Sequence, residues 1–109
     1  MKYNKGDIVL VPFPFTDGKN VKPRPAIVIS NSKVNITQDI ILAQITSKSR
    51  SDIFSHVINN SELTDPLHLE SEVRCHKIFT MQQNVILKKI SALKGKSLES
   101  LTQQIIGVL

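Results

Sequence analysis

Short apolar runs separated by turn-forming residues are the feature of this sequence that most restricts its fold. The first run, Ile8-Val9-Leu10-Val11, lies between Gly6 and a pair of prolines. Such residues favour extended backbone, and a run without polar alternation is typical of a strand buried on both faces or of a barrel wall. Further candidate strands lie at positions 26–30, 39–46, 54–58, 72–81 and 85–92. Six short strands with frequent breaks predict a barrel or a sandwich.

A helical period appears only at the C-terminus. Leu98, Leu101, Ile105 and Val108 are spaced by three, four and three residues, as on one face of an α-helix. Ser97 is predicted to cap this helix. The chain has 109 residues, so we expect one mainly β domain over residues 1–109, closed by a C-terminal helix.

The charge and the scarcity of metal ligands narrow the classes of function. Fourteen Lys and Arg against nine Asp and Glu give a formal charge of +5, which favours an anionic partner. Cys75 is the only cysteine, and the three histidines lack metal-motif spacing, so no metal or cofactor is expected. No apolar run approaches the roughly 20 residues of a membrane span, and the N-terminus does not resemble a secretory signal. We therefore expect a cytoplasmic protein without membrane association.

Several segments together resemble the PemK/MazF toxin family of type II toxin–antitoxin systems. They are Gly6–Asp17 (GDIVLVPFPFTD), Lys22–Ser30 (KPRPAIVIS), Ala43–Ser47 (AQITS) and Ser71–Thr80 (SEVRCHKIFT). The resemblance covers nearly the whole chain. It implies a small SH3-like β-barrel of the CcdB/PemK type that forms a homodimer. It also implies a metal-independent endoribonuclease that cleaves single-stranded RNA, and an acidic antitoxin protein that blocks the RNA groove and supplies any DNA binding.

Metal-free RNA cleavage is chemically consistent with this composition. The 2′-hydroxyl of the substrate is the nucleophile, so the protein needs a base, an acid and cations that stabilise the phosphorane. The products are a 2′,3′-cyclic phosphate and a 5′-hydroxyl. No activated serine or cysteine is required.

Arg24 and Thr46 match positions that the family places in the active site. Pro23 and Pro25 restrict the backbone around Arg24, and its guanidinium can bind a phosphate through two hydrogen bonds. From the residues alone, a solvated or ion-paired surface arginine remains the alternative. The Thr46 hydroxyl can bind a phosphate oxygen or simply end its strand.

Arg74-Cys75-His76 stands where some family members have Arg-Cys-Asp with acid and base roles for the arginine and the carboxylate, so the resemblance implies catalytic roles for Arg74 and His76. On an extended strand Arg74 and His76 share one face and can address one phosphate, while Cys75 points into the core. Histidine titrates near neutral pH and therefore suits a general base. Alternatively, His76 only binds RNA or marks an altered activity.

Polar residues in two loops are candidates for RNA binding. Ser47, Lys48 and Arg50 follow the third strand, and Thr16 and Asp17 lie in the loop after the first. Turn formation is an alternative role for the last two.

Two other functions fit the same fold, because a fold does not decide an activity. One is a non-catalytic binding toxin of the gyrase-poison type. The other is a degenerate relative that binds RNA without cutting it, a possibility raised by the histidine at position 76.

Overall fold

A computed structural model describes residues 2–14 and 21–109 of the chain. The strands are β1 (Asp7–Pro14), β2 (Val21–Val28), β3 (Asp39–Thr46), β4 (Ser55–Ile58), β5 (Ser71–Gln82) and β6 (Lys88–Ala92). The helices are α1 (Ser32–Asn35) and α2 (Gly95–Ile106), and short 3-10 turns span Asn60–Glu62 and Gln83–Val85. The fold is mainly β with a C-terminal helix, which confirms the predicted class.

The strands form one antiparallel sheet in the order β4-β5-β3-β2-β1-β6, curled into a half-barrel. β5 is the longest strand and pairs with both β3 and β4. Its register with β3 shifts between Ala43 and Ile45, so the chain from 74 to 77 bulges away from β3. This bulge contains Arg74 and His76, two of the residues predicted to carry the chemistry.

Both faces of the sheet are covered by apolar residues. Ile8 belongs to a cluster that includes Leu101 and Ile105 of α2, whereas Val9 belongs to a separate cluster that contains Tyr3. Ile8 and Val9 are both fully buried. Neighbouring side chains of a strand point to opposite faces, so the unbroken apolar run of β1 supplies both clusters.

β2 begins earlier than predicted and includes both of its prolines. Pro25 pairs with Leu10 of β1 and Pro23 with Pro12, whereas the pairing of β2 with β3 begins only at Ala26. Prolines have no N–H to donate, and the side of β2 that faces β3 needs no donor before Ala26. This arrangement extends β2 back to Val21.

α2 also begins before its predicted cap. Lys94 is the N-cap residue with extended backbone angles, and Ser97 lies inside the first turn, so the predicted capping role of Ser97 is wrong. Leu101 and Ile105 are buried against the sheet, as the helical period predicts. No helix in residues 2–14 or 21–109 is long and apolar enough to span a bilayer.

Candidate active site

The register of β2 and β3 brings Arg24 and Thr46 to the same end of the sheet. Ala26 pairs with Gln44, and this is the last pair of the ladder. Arg24 and Thr46 each lie two residues beyond it along their own strands. Side chains two apart on a strand share a face, and so do those of paired residues, so both project from one face at one end.

On this face of the sheet, polar side chains lie beyond the end of the apolar cluster that contains Val9 and Tyr3. Val11 and Ala26 are buried members of that cluster, whereas Arg24, which pairs with Val11, is exposed. Thr46 is half-buried, and its hydroxyl accepts a hydrogen bond from the backbone N–H of Lys48 at 3.1 Å. The Thr46 hydroxyl thus organises the turn after β3 and keeps its own proton free to donate.

Arg74 is buried in a network of hydrogen bonds with two carboxylates. Its two terminal nitrogens donate to the two oxygens of Asp52 at 3.0 and 2.9 Å, and Nη1 also donates to Glu72 Oε2 at 3.0 Å and to Ser55 Oγ at 2.9 Å. Only 7% of the residue is exposed. The hydrogen bonds with Asp52, together with those to Glu72, raise the pKa of the guanidinium despite its burial.

Both carboxylates of this network are held in the ionised form. Hydrogen bonding from Arg74 brings the pKa of Asp52 far below its usual range. Burial alone raises the pKa of Glu72, but hydrogen bonds from the Ser55 hydroxyl, the Arg50 backbone N–H and Arg74 outweigh it, and the net pKa is lowered. Every hydrogen bond to Glu72 favours its charged form, so it is unsuited to accept a substrate proton.

The network fastens the loop of residues 47–54 to the sheet. Asp52 is held by Arg74, and the backbone N–H of Arg50 donates to Glu72 Oε1 at 3.2 Å. The loop carries Lys48 and Arg50, whose side chains are both exposed. Two cations predicted to bind RNA are therefore presented by a loop that an internal ion-pair cluster holds in place.

Arg74 and His76 are separated in their contacts, although they lie two residues apart on β5. The guanidinium of Arg74 is committed to Asp52 and Glu72 and not to an open surface. The exposed ring of His76 stacks on Phe54, with ring centroids 4.0 Å apart and planes inclined by 28°. Joint action of these two side chains on one phosphate therefore has no support in their contacts.

Cys75 is fully buried between them, as its place in the strand predicts. Burial raises the pKa of its thiol to about 11, so the thiol is protonated and unreactive at neutral pH.

The remaining candidate residues fall into two groups. Ser47 is exposed beside Thr46, and both line a shallow pocket of about 120 Å³ that also includes Ser49 and Ser71. Thr16 and Asp17 lie outside the described residues. In the described part of the chain, no group of three or more His, Cys, Asp or Glu side chains is placed to hold a metal ion.

Sequence reasoning missed Asp52, Ser55 and Glu72. The spacing of Glu72 and Arg74 places them on one face of a strand, which is a signal of an ion pair. Asp52 lies 22 residues from Arg74 and gives no comparable local signal.

Comparison with known proteins identifies relatives of the whole chain. The family model described as PemK-like, MazF-like toxin of type II toxin–antitoxin system matches residues 4–109. No curated protein matches the sequence.

Solved structures of similar fold include a MazE-MazF complex from Deinococcus radiodurans, with a TM-score of 0.80 and 14% identity over 99% of this chain and 96% of that one. A mycobacterial endoribonuclease in complex with its cognate antitoxin has a TM-score of 0.75 and 14% identity over 98% and 97% of the two chains. The Mycobacterium tuberculosis toxin MazF-mt6 has a TM-score of 0.67 and 18% identity over 92% and 93%. At these identities the likeness establishes a shared fold.

Proposed function

Because the chain belongs to the family of PemK-like, MazF-like toxins of type II toxin–antitoxin systems, we propose that it is an endoribonuclease that cuts single-stranded RNA without a metal ion. The observation that carries this proposal is the placement of Arg24 and Thr46 on one face at one end of the β2–β3 ladder. A cation and a hydroxyl there supply the two kinds of donor that a phosphate under attack requires.

In the proposed reaction the 2′-hydroxyl of the RNA attacks the adjacent phosphorus. A bond forms between O2′ and phosphorus while the bond to the 5′-oxygen breaks. Water accepts the proton that the 2′-hydroxyl loses and supplies the proton that the 5′-oxygen gains, leaving a 2′,3′-cyclic phosphate and a 5′-hydroxyl. The Arg24 guanidinium binds the non-bridging oxygens as charge builds on them, and the Thr46 hydroxyl donates a hydrogen bond to the same phosphate. The sequence resemblance implies that Arg74 and His76 assist catalysis; because the Arg74 guanidinium is bonded to Asp52 and Glu72, we propose that Arg74 has a positioning role.

The exposed cations of the loop extend the proposed RNA surface. Lys48 and Arg50 follow Thr46 directly in the chain, so phosphates on either side of the scissile bond meet positive charge. Ser47 contributes a hydroxyl at the same place, and Thr16 and Asp17 of the first loop are proposed to add polar contacts. The ion-pair cluster of Arg74, Asp52 and Glu72 maintains the loop that presents these groups.

We also propose a homodimer in the cytoplasm and an acidic antitoxin as the protein partner. Two of the similar structures are toxins bound to an antitoxin, which supports the second point. A chain with a formal charge of +5 presents the complementary surface for an acidic inhibitor.

The test is cleavage of a mixed-sequence RNA by the purified protein in EDTA. We expect fragments with 5′-hydroxyl ends, detected by direct phosphorylation with a polynucleotide kinase, and their loss in Arg24→Ala with the fold retained. Lys33→Ala, an exposed lysine on α1, is the matched control and should cleave normally. Cleavage that needs added metal, or that survives Arg24→Ala, contradicts the mechanism; RNA binding without fragments favours the degenerate RNA-binding relative.

A further inference from the structure

The stacked pair of Phe54 and His76 is fixed by the backbone of two neighbouring segments. The ring centroids are 4.0 Å apart and the planes are inclined by 28°. Phe54 directly precedes β4, and its carbonyl accepts a hydrogen bond of 2.9 Å from the backbone N–H of Cys75, the residue before His76. The hydrogen bond between these two main chains therefore holds the two rings against each other.

Only one face of the His76 ring is covered by Phe54. His76 is exposed and Phe54 is half-buried, so the part of the imidazole that Phe54 does not cover is accessible to solvent. Within residues 2–14 and 21–109, no side chain forms a hydrogen bond with this ring. An aromatic ring that packs on a second ring and keeps solvent-accessible surface is the kind of surface on which nucleobases stack.

The stacked pair lies close to the candidate active site. Thr46 pairs with Glu72 and Ala43 pairs with Ile78 across β3 and β5, so His76 lies in the bulge between these two pairs. Ala43 and Thr46 are three residues apart on β3, and at about 3.3 Å per residue His76 lies within roughly 10 Å of Thr46 along the strand direction. Lys77, which is exposed, follows His76 and adds positive charge beside the ring. A short run of single-stranded RNA spans this distance.

We propose that His76, supported by Phe54, binds a base of single-stranded RNA by stacking beside the scissile phosphate. The inference rests on the proposed function for the nature of the ligand, and of the two roles that the sequence leaves open for His76 it selects RNA binding over general-base catalysis. An aspartate at this position cannot stack, whereas an imidazole can. The departure from the Arg-Cys-Asp pattern therefore changes how the RNA is held.

Substitutions that keep or remove the aromatic ring test this role. The probe is a mixed-sequence 2′-O-methyl RNA oligonucleotide that carries 2-aminopurine; its blocked hydroxyl prevents cleavage, and its fluorescence falls on stacking. His76→Ala should weaken binding roughly 5- to 100-fold and lose the quenching. His76→Phe should bind within about threefold of the natural protein and keep the quenching, because it retains the stacking face. His68→Ala is the control, since His68 is an exposed histidine elsewhere.

Cleavage of ordinary RNA separates stacking from proton transfer. Stacking predicts that His76→Phe remains active, whereas proton transfer predicts that it is as inactive as His76→Ala. Unchanged binding by His76→Ala, or binding by His76→Phe as weak as that of His76→Ala, overturns the proposal. If His76→Ala fails to fold in a thermal melt, His76→Gln takes its place. If the natural protein cuts no RNA, the proposed activity fails while the binding measurements still decide the stacking role.

Discussion

Replacing Arg74 by methionine tests whether the buried ion-pair cluster is a structural element. The substitution keeps most of the side-chain volume and leaves Glu72, whose side chain is 5% exposed, without its cationic partner. Removal of one member of a buried pair typically costs about 3–5 kcal/mol. Glu72 keeps donors from Ser55 and the Arg50 backbone, and Asp52 is open enough to be hydrated, so we expect a loss of about 2–3 kcal/mol. An exposed pair contributes at most about 1 kcal/mol.

The measurement is urea unfolding at pH 7, followed by circular dichroism. A loss of this size lowers the thermal midpoint of a domain of about 100 residues by roughly 10–20 °C. Arg50→Met, which removes an exposed arginine from the same loop, should change the free energy of unfolding by no more than about 0.5 kcal/mol. The double variant Glu72→Gln, Arg74→Met should lose less free energy of unfolding than the two single variants lose in sum, by more than about 1 kcal/mol, because no buried charge is left unpaired.

Two results refute this reasoning. If Arg74→Met lowers the free energy of unfolding as little as Arg50→Met does, water already screens the ion pairs of the cluster and burial does not govern their energy. If the double substitution is additive, Arg74 and Glu72 are not coupled, and the network does not fasten the loop.

Further substitutions and pH address the remaining features. The pKa values of Asp52 and Glu72 are lower in the folded state than in the unfolded state. Their contribution to the free energy of unfolding is therefore complete above the unfolded carboxyl pKa and is lost as pH falls through the folded pKa values. Unfolding curves from pH 7 downward should show this loss, and the free energy of unfolding of Glu72→Gln should depend less steeply on pH. Thr46→Val should lower the single-turnover cleavage rate at least tenfold, whereas Thr46→Ser should recover most of it, because only the hydroxyl addresses the phosphate. Gln83 is buried, and its amide donates to three backbone carbonyls around α1 at 2.9, 2.9 and 3.2 Å. Gln83→Leu should therefore destabilise the protein by about 2–3 kcal/mol in urea unfolding, whereas Gln82→Leu at the exposed neighbour should not; equal effects contradict the assignment.

Local patterns were sufficient for the elements that local chemistry controls. The residue types of 39–46 predicted β3 at its observed bounds, and the spacing of Leu101 and Ile105 predicted the buried face of α2. The alternation of a strand also predicted that Cys75 lies in the core. The early start of β2 was not predicted, because prolines are tolerated in a strand only where the neighbouring strand forms no hydrogen bond that needs their N–H, and the sequence does not show where β3 stops pairing.

The sequence by itself determined the family, the mainly β fold and the candidates Arg24 and Thr46, because these depend on residue types at fixed positions along the chain. Only the tertiary structure decided that Arg74 contacts Asp52, 22 residues away, and that His76 stacks on Phe54. The alternation of a strand determines the face on which a side chain lies, but it does not determine which residue of another segment that side chain contacts. The partner is chosen when a distant loop folds back, and a buried guanidinium then takes the carboxylates that compensate its lost hydration.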